Sequence, residues 1–274
     1  MINKRKRIFL IQVCLIVCSL LVAAPVIFAV ITSTQTPAEV DSYPPKVTPG
    51  SAGLARYAEV WRIGIGRMML NSLYISAVVT VGKIGVSILA ALALVYFNFR
   101  FKNLVFFFIF ITIMFPVPVR VVPLFDLVQK LKMGDSYYAL TIPFLASATA
   151  TFLLRQHFMS IPASMVDAAR VEGVGPLKFL FLVLIPMSIN TLGALAMVTF
   201  IYIWNQYLWP MIVISSNERQ VVQLGLKMLR PGEAGRQDWA LAMAGVVIAM
   251  VIPLVIFLLL QEQFMRGFAL SEEK

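Results

Sequence analysis

Residues 161–186 read IPASMVDAARVEGVGPLKFLFLVLIP. Two acids, two bases, paired alanines, two glycines and three prolines stand here between runs that are otherwise almost wholly apolar. Ser160 can cap a helix, with Pro162 tolerated in its first turn. That helix is expected over about 161–172. Gly173 supplies a left-handed stop, and Gly175-Pro176 prevents continuation. A helix of this length, at about 1.5 Å per residue, reaches roughly 18 Å, too short to cross a bilayer. It is also too charged to enter one. Ala168 and Ala169 add almost no bulk, so another surface can approach the backbone. The segment reads either as a docking helix along the membrane face or as an ordinary loop with a surface helix.

The rest of the chain sets the context. Of 274 residues, 60% are hydrophobic and 13% charged, where soluble domains average about 25% charged. The mean hydropathy is +0.86. A spanning helix needs about 20 mostly apolar residues. Six stretches meet this, at roughly 8–31, 69–97, 103–122, 137–154, 179–203 and 240–260, giving a single all-α membrane domain over 1–274. The first follows Lys4-Arg5-Lys6-Arg7 and exceeds the apolar core of a signal peptide, so it is expected to be retained.

Total basic residues do not separate the two sides. Those close to span ends do: the KRKR start, Arg100 to Lys102 and the Arg155–Lys178 segment fall together, which puts both termini and the docking segment in the cytoplasm. Residues 32–68 and 209–238 then form long external loops. Within the first, LARYAEVWRIGIGRM suits an interfacial amphipathic helix.

Several chemistries drop out. The net charge of +10 is scattered over loops and ends rather than forming a stripe, which argues against nucleic acid. Cys14 and Cys18 sit in an apolar run without metal-ligand neighbours, and His157 is the only histidine. There is no Gly-rich phosphate loop, so ATP hydrolysis is not expected in this chain. No span contains an acid, which weighs against a proton-coupled carrier.

DAARVEGVGPLKFLFLVLIP resembles the EAA motif of binding-protein-dependent ABC importer permeases: Glu-Ala-Ala, Gly four residues after the second Ala, then hydrophobic-x-hydrophobic-Pro. Asp167-Ala168-Ala169, Gly173 and Val183-Leu184-Ile185-Pro186 keep that spacing, with Asp in the place of Glu. The resemblance implies a type I importer permease with six transmembrane helices and a coupling helix. It implies that Asp167, Ala168, Ala169, Glu172, Gly173, Gly175 and Pro176 engage an ATPase. The implied partners are a second, unlike permease subunit, an ATPase dimer that binds ATP and Mg, an extracytoplasmic solute-binding protein and membrane lipid. The implied location is a bacterial or archaeal cytoplasmic membrane.

Over about two-thirds of the spans the chain is similar to permeases of sn-glycerol-3-phosphate importers, most tellingly in VRVVP with ASATATFLLRQ and in WNQYLWP, Trp204 to Pro210. That likeness implies uptake of sn-glycerol-3-phosphate or glycerophosphodiesters by alternating access. The same class includes di- and oligosaccharide permeases. An ATP-independent carrier and a membrane scaffold are the rivals from other classes.

Four side chains are candidates for the path. Lys83 lies mid-span, where a cation faces either a cavity or polar groups of a neighbour. Arg120, at the expected outer end of span three, either grips phosphate through paired hydrogen bonds or anchors at the interface with headgroups or Asp126. Asn205 and Gln206 suit sugar or glycerol hydroxyls, although WNQYLWP equally suits a structural aromatic belt. Thr149 and Thr151 are polar but can bond their own helix. Pro116, Pro118, Pro143 and Pro186 serve either as hinges or as packing kinks.

Overall fold

The computed structural model describes residues 4–232 and 238–269, and every described regular element is a helix. Part of the expected 209–238 loop, residues 233–237, and the extreme C-terminal end lie outside the described residues. Four helical runs are long and apolar enough to span by themselves, and two bent pairs raise the number to six.

Packing divides the chain into two compact units: Met1–Arg67 with Gly225–Val251, and Met68–Leu224 with Ile252–Lys274. The first contains α1 (Lys4–Thr32) and α2 (Ala55–Arg62), the latter being the amphipathic helix read from the sequence. Its polar segment folds back on itself. Gln35 Nε2 donates to the carbonyls of Lys46 and Thr48, each at 3.0 Å. Arg56 donates to Glu59 at 3.2 Å and Asp238 at 2.9 Å. Glu39 accepts from the Thr36 and Ser51 amides, which hold its carboxyl down to about 2.

The second unit is built on α3 (Ile65–Tyr96) from Met68 onward. Beyond it the expected span 103–122 is not one helix. Phe115 precedes Pro116, and a residue before proline is pushed out of helical space. It takes φ −79°, ψ 118°, so the run divides into α4 (Lys102–Ile111, continued by a 3-10 turn to Met114) and α5 (Val117–Lys130), the pair bent by 109°. The expected span 137–154 is longer. It begins in a short helix at Tyr137, passes a 3-10 turn at Ile142–Phe144 and ends as α6 (Ala148–Met159). This extension takes Arg155 into the helix, with its guanidinium 4.1 Å from the centroid of the Phe106 ring.

The short charged helix is α7 (Ala163–Val171). It starts two residues later than the expected 161–172, because Pro162 takes extended backbone at the N-cap rather than joining the first turn. Ser160 does not cap it. Its hydroxyl donates backward to the His157 carbonyl at 2.7 Å and so belongs to the end of α6.

The expected span 179–203 also breaks. Pro186 has no N–H for the Leu182 carbonyl, and its ring crowds that oxygen. The turn Leu180–Leu184 widens to a π-helix in which the Ile185 N–H bonds Leu180. Chain direction then changes at Ser188, and α8 (Ile189–Trp204) leaves the Pro176–Met187 segment at 79°. After α9 (Val222–Leu229), α10 (Trp239–Ala269) closes the described fold. Its Gly267 lies so close to α8 that a Cβ would come within 2.8 Å of the Asn190 carbonyl oxygen.

Two apolar clusters organise the second unit. One gathers Ile75, Val79, Val128, Leu140, Ile203 and Trp209, and the other Ile88, Leu92, Leu154, Phe158, Phe179 and Leu184.

Candidate functional site: a docking helix and a polar wall

The end of α7 is built by its glycine. Gly173 has φ +69°, the left-handed region open to glycine at little cost. The Val174 N–H reaches the Ala169 carbonyl at 2.9 Å, and the Gly173 N–H reaches Arg170 at 3.0 Å. These are the paired bonds of a Schellman stop. Gly175 then caps the next helix, whose first residue is Pro176, so the two residues end one helix and start another.

The paired alanines divide the labour of the helix. Val166, Ala169 and Val174 pack against the cluster holding Phe158 and Phe179. Ala168 is exposed, as are Asp167, Glu172, Gly175 and Pro176. Beside Ala168 on that face are the apolar side chains of Met165 and Val171, at 43% and 90% exposure. Their spacing, three residues to either side of Ala168 and opposite Val166 and Ala169, was the signal for this face. Asp167 and Arg170 pair at 3.6 Å in solvent, a contact of little energetic weight.

Under the helix, Leu92, Tyr96, Val166, Ala169, Val174 and Phe179 help line a cavity of about 140 Å³. Tyr96 ties this region together. Its hydroxyl donates to the Phe158 carbonyl at 3.0 Å, and its ring meets Phe179 edge-on at 5.4 Å. These side chains pack α7 against the ends of α3 and α6.

At the other end of the same unit, polar groups fasten loops to helices. Asn71 donates to the carbonyls of Glu218 and Gln220 at 2.8 and 2.9 Å and accepts from the Tyr137 hydroxyl. Ser72 accepts from the Val222 amide. Asp135 accepts from the amides of Ser216 and Ser215 and from Arg219. The Ser216 N–H, reinforced by these others, holds its carboxyl below the ordinary range, so it stays charged at neutral pH.

The four path candidates are distributed unequally. Lys83 is 8% exposed, with its ammonium 5.7 Å from the centroid of the Tyr202 ring. Arg120 lies in the first turn of α5, past the break instead of at the end of a continuous span, and is exposed. No ion pair joins it to Asp126 among the described residues. Six residues turn a helix through about 600°, which puts those side chains on well-separated faces. Asn205 caps α8, is exposed and accepts from Gln223 Nε2 at 3.1 Å. Gln206 is half-buried.

The tryptophans nearby do not form an interfacial belt. Trp204 and Trp209 are 2% and 5% exposed, and Trp209 Nε1 donates to the Ala139 carbonyl at 2.9 Å. Of the flanking threonines, Thr151 is buried and Thr149 exposed.

Known proteins share this architecture. A chain of a bacterial ABC transporter involved in the import of the acidic polysaccharide alginate superposes with a TM-score of 0.81, at 24% identity, over 96% of this chain and 99% of that one. The sn-glycerol-3-phosphate transport system permease protein UgpE of Pectobacterium atrosepticum is 40% identical over 99% of both chains. UgpE of Escherichia coli O6:K15:H31 is 40% identical over 91% of each. Residues 83–269 match the family described as binding-protein-dependent transport system inner membrane component. A polytopic helical fold with a short exposed helix between two spanning runs, and full-length relatives of this kind, agree on one assignment: the chain belongs to the family of binding-protein-dependent transport system inner membrane components.

Proposed function

We propose that this chain is a permease subunit of an ATP-driven importer and that its substrate is sn-glycerol-3-phosphate or a related glycerophosphodiester. The observation that carries the substrate is the 40% identity, over 99% of both chains, to a permease of sn-glycerol-3-phosphate transport. The chain works beside a second, unlike permease, on an ATPase dimer that binds ATP and Mg. An extracytoplasmic binding protein delivers the solute.

Both termini and α7 face the cytoplasm in this reading, and residues 32–68, the turn at Asp135 and the loop at Arg219 face outward. The exposed face of Asp167, Ala168, Glu172 and Gly173, with Met165 and Val171, sits in the ATPase groove. Gly175 and Pro176 set the exit of the chain from it. ATP-driven closure pushes α7 against the Phe158–Phe179 cluster. The bend at Ser188 and the widened turn before Pro186 let the two halves of that span move separately. Lys83, Arg120, Asn205 and Gln206 are the path residues: two cations for phosphate and two amides for glycerol hydroxyls.

Two experiments test this reading. The permease pair purified with its ATPase should show ATP hydrolysis stimulated by the liganded binding protein. An ATPase that neither co-purifies nor responds would refute it. In a Cys14→Ala, Cys18→Ala background, Thr48→Cys should react with an impermeant maleimide from outside and Gly175→Cys only from the cytoplasm. The opposite pattern would invert the topology.

A further inference from the structure

Lys83 is a cation without an anion. Among the described residues its ammonium makes no hydrogen bond or ion pair, and the partner it has is the Tyr202 ring face at 5.7 Å. The residue sits where the two apolar clusters meet: Ile75 and Val79 belong to one, Ile84 and Ile88 to the other. The helical segments Ile65–Tyr96, Tyr137–Met159 and Ile189–Trp204 contain no Asp or Glu. On the same face of α3, three residues before and four after Lys83, Thr80 Oγ1 and Ser87 Oγ are buried without a hydrogen-bond partner. These groups line up on one helix, and among the described residues the two hydroxyls have no hydrogen-bond partner while the ammonium meets the Tyr202 ring.

Tyr202 brings that wall to the surface. It is 48% exposed and recurs with Val198, at 49%, and Asn205 along one exposed stripe of α8, at spacings of four and three residues. An aromatic face attracts an ammonium without neutralising it. A resident carboxylate would cancel the charge and compete with any arriving anion. The ring does neither.

We propose that Lys83 is an anion-binding point within the membrane and that Tyr202 is its positioning residue, its ring keeping the ammonium placed at the exposed stripe both before and after a phosphate group binds there. The phosphate of the substrate offers several strong acceptors to the ammonium, with the hydroxyls of Thr80 and Ser87 as further donors on that face. A neutral sugar offers no charge for the ammonium to meet. This inference rests on the proposed phosphate-ester substrate.

The test is uptake of sn-glycerol-3-phosphate by the complete importer in proteoliposomes, with KM and maximal rate measured separately. Tyr202→Phe keeps the ring face and should match the parent. Tyr202→Leu should raise KM roughly three- to thirtyfold, the range of a partly to fully desolvated cation–π contact, with maximal rate little changed. Lys83→Met should also raise KM, and adding Tyr202→Leu to it should raise KM no further, since the ring then has no ammonium to hold.

Equal damage from Tyr202→Phe and Tyr202→Leu would overturn the inference, as would additive effects in the double variant. If Tyr202→Leu fails to assemble, an unchanged KM in Lys83→Met overturns it instead. Lys83→Met complexes that fall apart, while Tyr202→Leu complexes keep the parental KM, would assign the lysine to an acid of the partner permease and refute it. Parent uptake that is intact beside any of these results leaves the substrate reading standing. Absence of parent uptake would refute both.

Discussion

Gly173→Val should leave the protein inserted in the membrane and reduce stimulation of its ATPase by about tenfold or more. The glycine holds φ +69°, and an added Cβ would meet no atom within 4 Å. The damage therefore comes from the backbone alone. An L-residue in the left-handed region costs about 1–2 kcal/mol, and a β-branched one resists it further. Relief of that strain breaks the bonds from Gly173 to Arg170 and from Val174 to Ala169, which fix where α7 stops. Asparagine tolerates this conformation, so Gly173→Asn should retain most of the stimulation. ATP hydrolysis by the purified complex, with and without liganded binding protein, measures both. Equal stimulation in the valine variant and the parent would show that the position of the helix end does not matter to coupling.

Trp209→Ala should be strongly destabilising to the second unit. The side chain is 5% exposed, meets Phe144 edge-on at 6.1 Å and donates to the Ala139 carbonyl. Truncating a buried tryptophan costs about 3–5 kcal/mol through lost contacts and the cavity left behind. Trp209→Phe keeps most of the ring and should cost about 1–3 kcal/mol, mainly from the unpaired Ala139 carbonyl. Thermal unfolding of the detergent-solubilised subunit should rank parent, phenylalanine and alanine variants in that order. An alanine variant as stable as the parent would remove Trp209 from the core.

The membrane class and the short charged helix were legible in the sequence because both rest on local chemistry. Long apolar runs need no partner to be recognised. The stop at Gly173 follows from the one residue type that enters left-handed space freely. The breaks were less legible. Pro116 and Pro186 announced bends, but a proline does not state whether its helix kinks, widens or divides. Phe115 took extended backbone and divided one span, whereas Pro186 widened a turn and the change of direction fell two residues later, at Ser188.

The site was legible where residues act in sequence order and hidden where they meet through space. Lys83 stood out as an intramembrane cation, while Tyr202, in contact with it from a different helix, looked like any aromatic residue in an apolar run. Trp204 and Trp209 suggested a lipid interface because tryptophans gather there, and the fold buries them instead. Ala168 and Ala169 looked equivalent as neighbours, but α7 turns through about 100° between them, so one faces the cluster and the other solvent.

The central claim is that this chain carries a phosphate ester under the drive of ATP. Its most direct test is accumulation of labelled sn-glycerol-3-phosphate in proteoliposomes that contain the permease pair and ATPase, with the binding protein added on the outer side and ATP enclosed at the ATPase side. The expected result is uptake that requires both ATP and binding protein, is displaced by unlabelled sn-glycerol-3-phosphate or a glycerophosphodiester, and is indifferent to excess maltose. Uptake that proceeds without ATP, or is displaced by maltose but not by the phosphate ester, would contradict it.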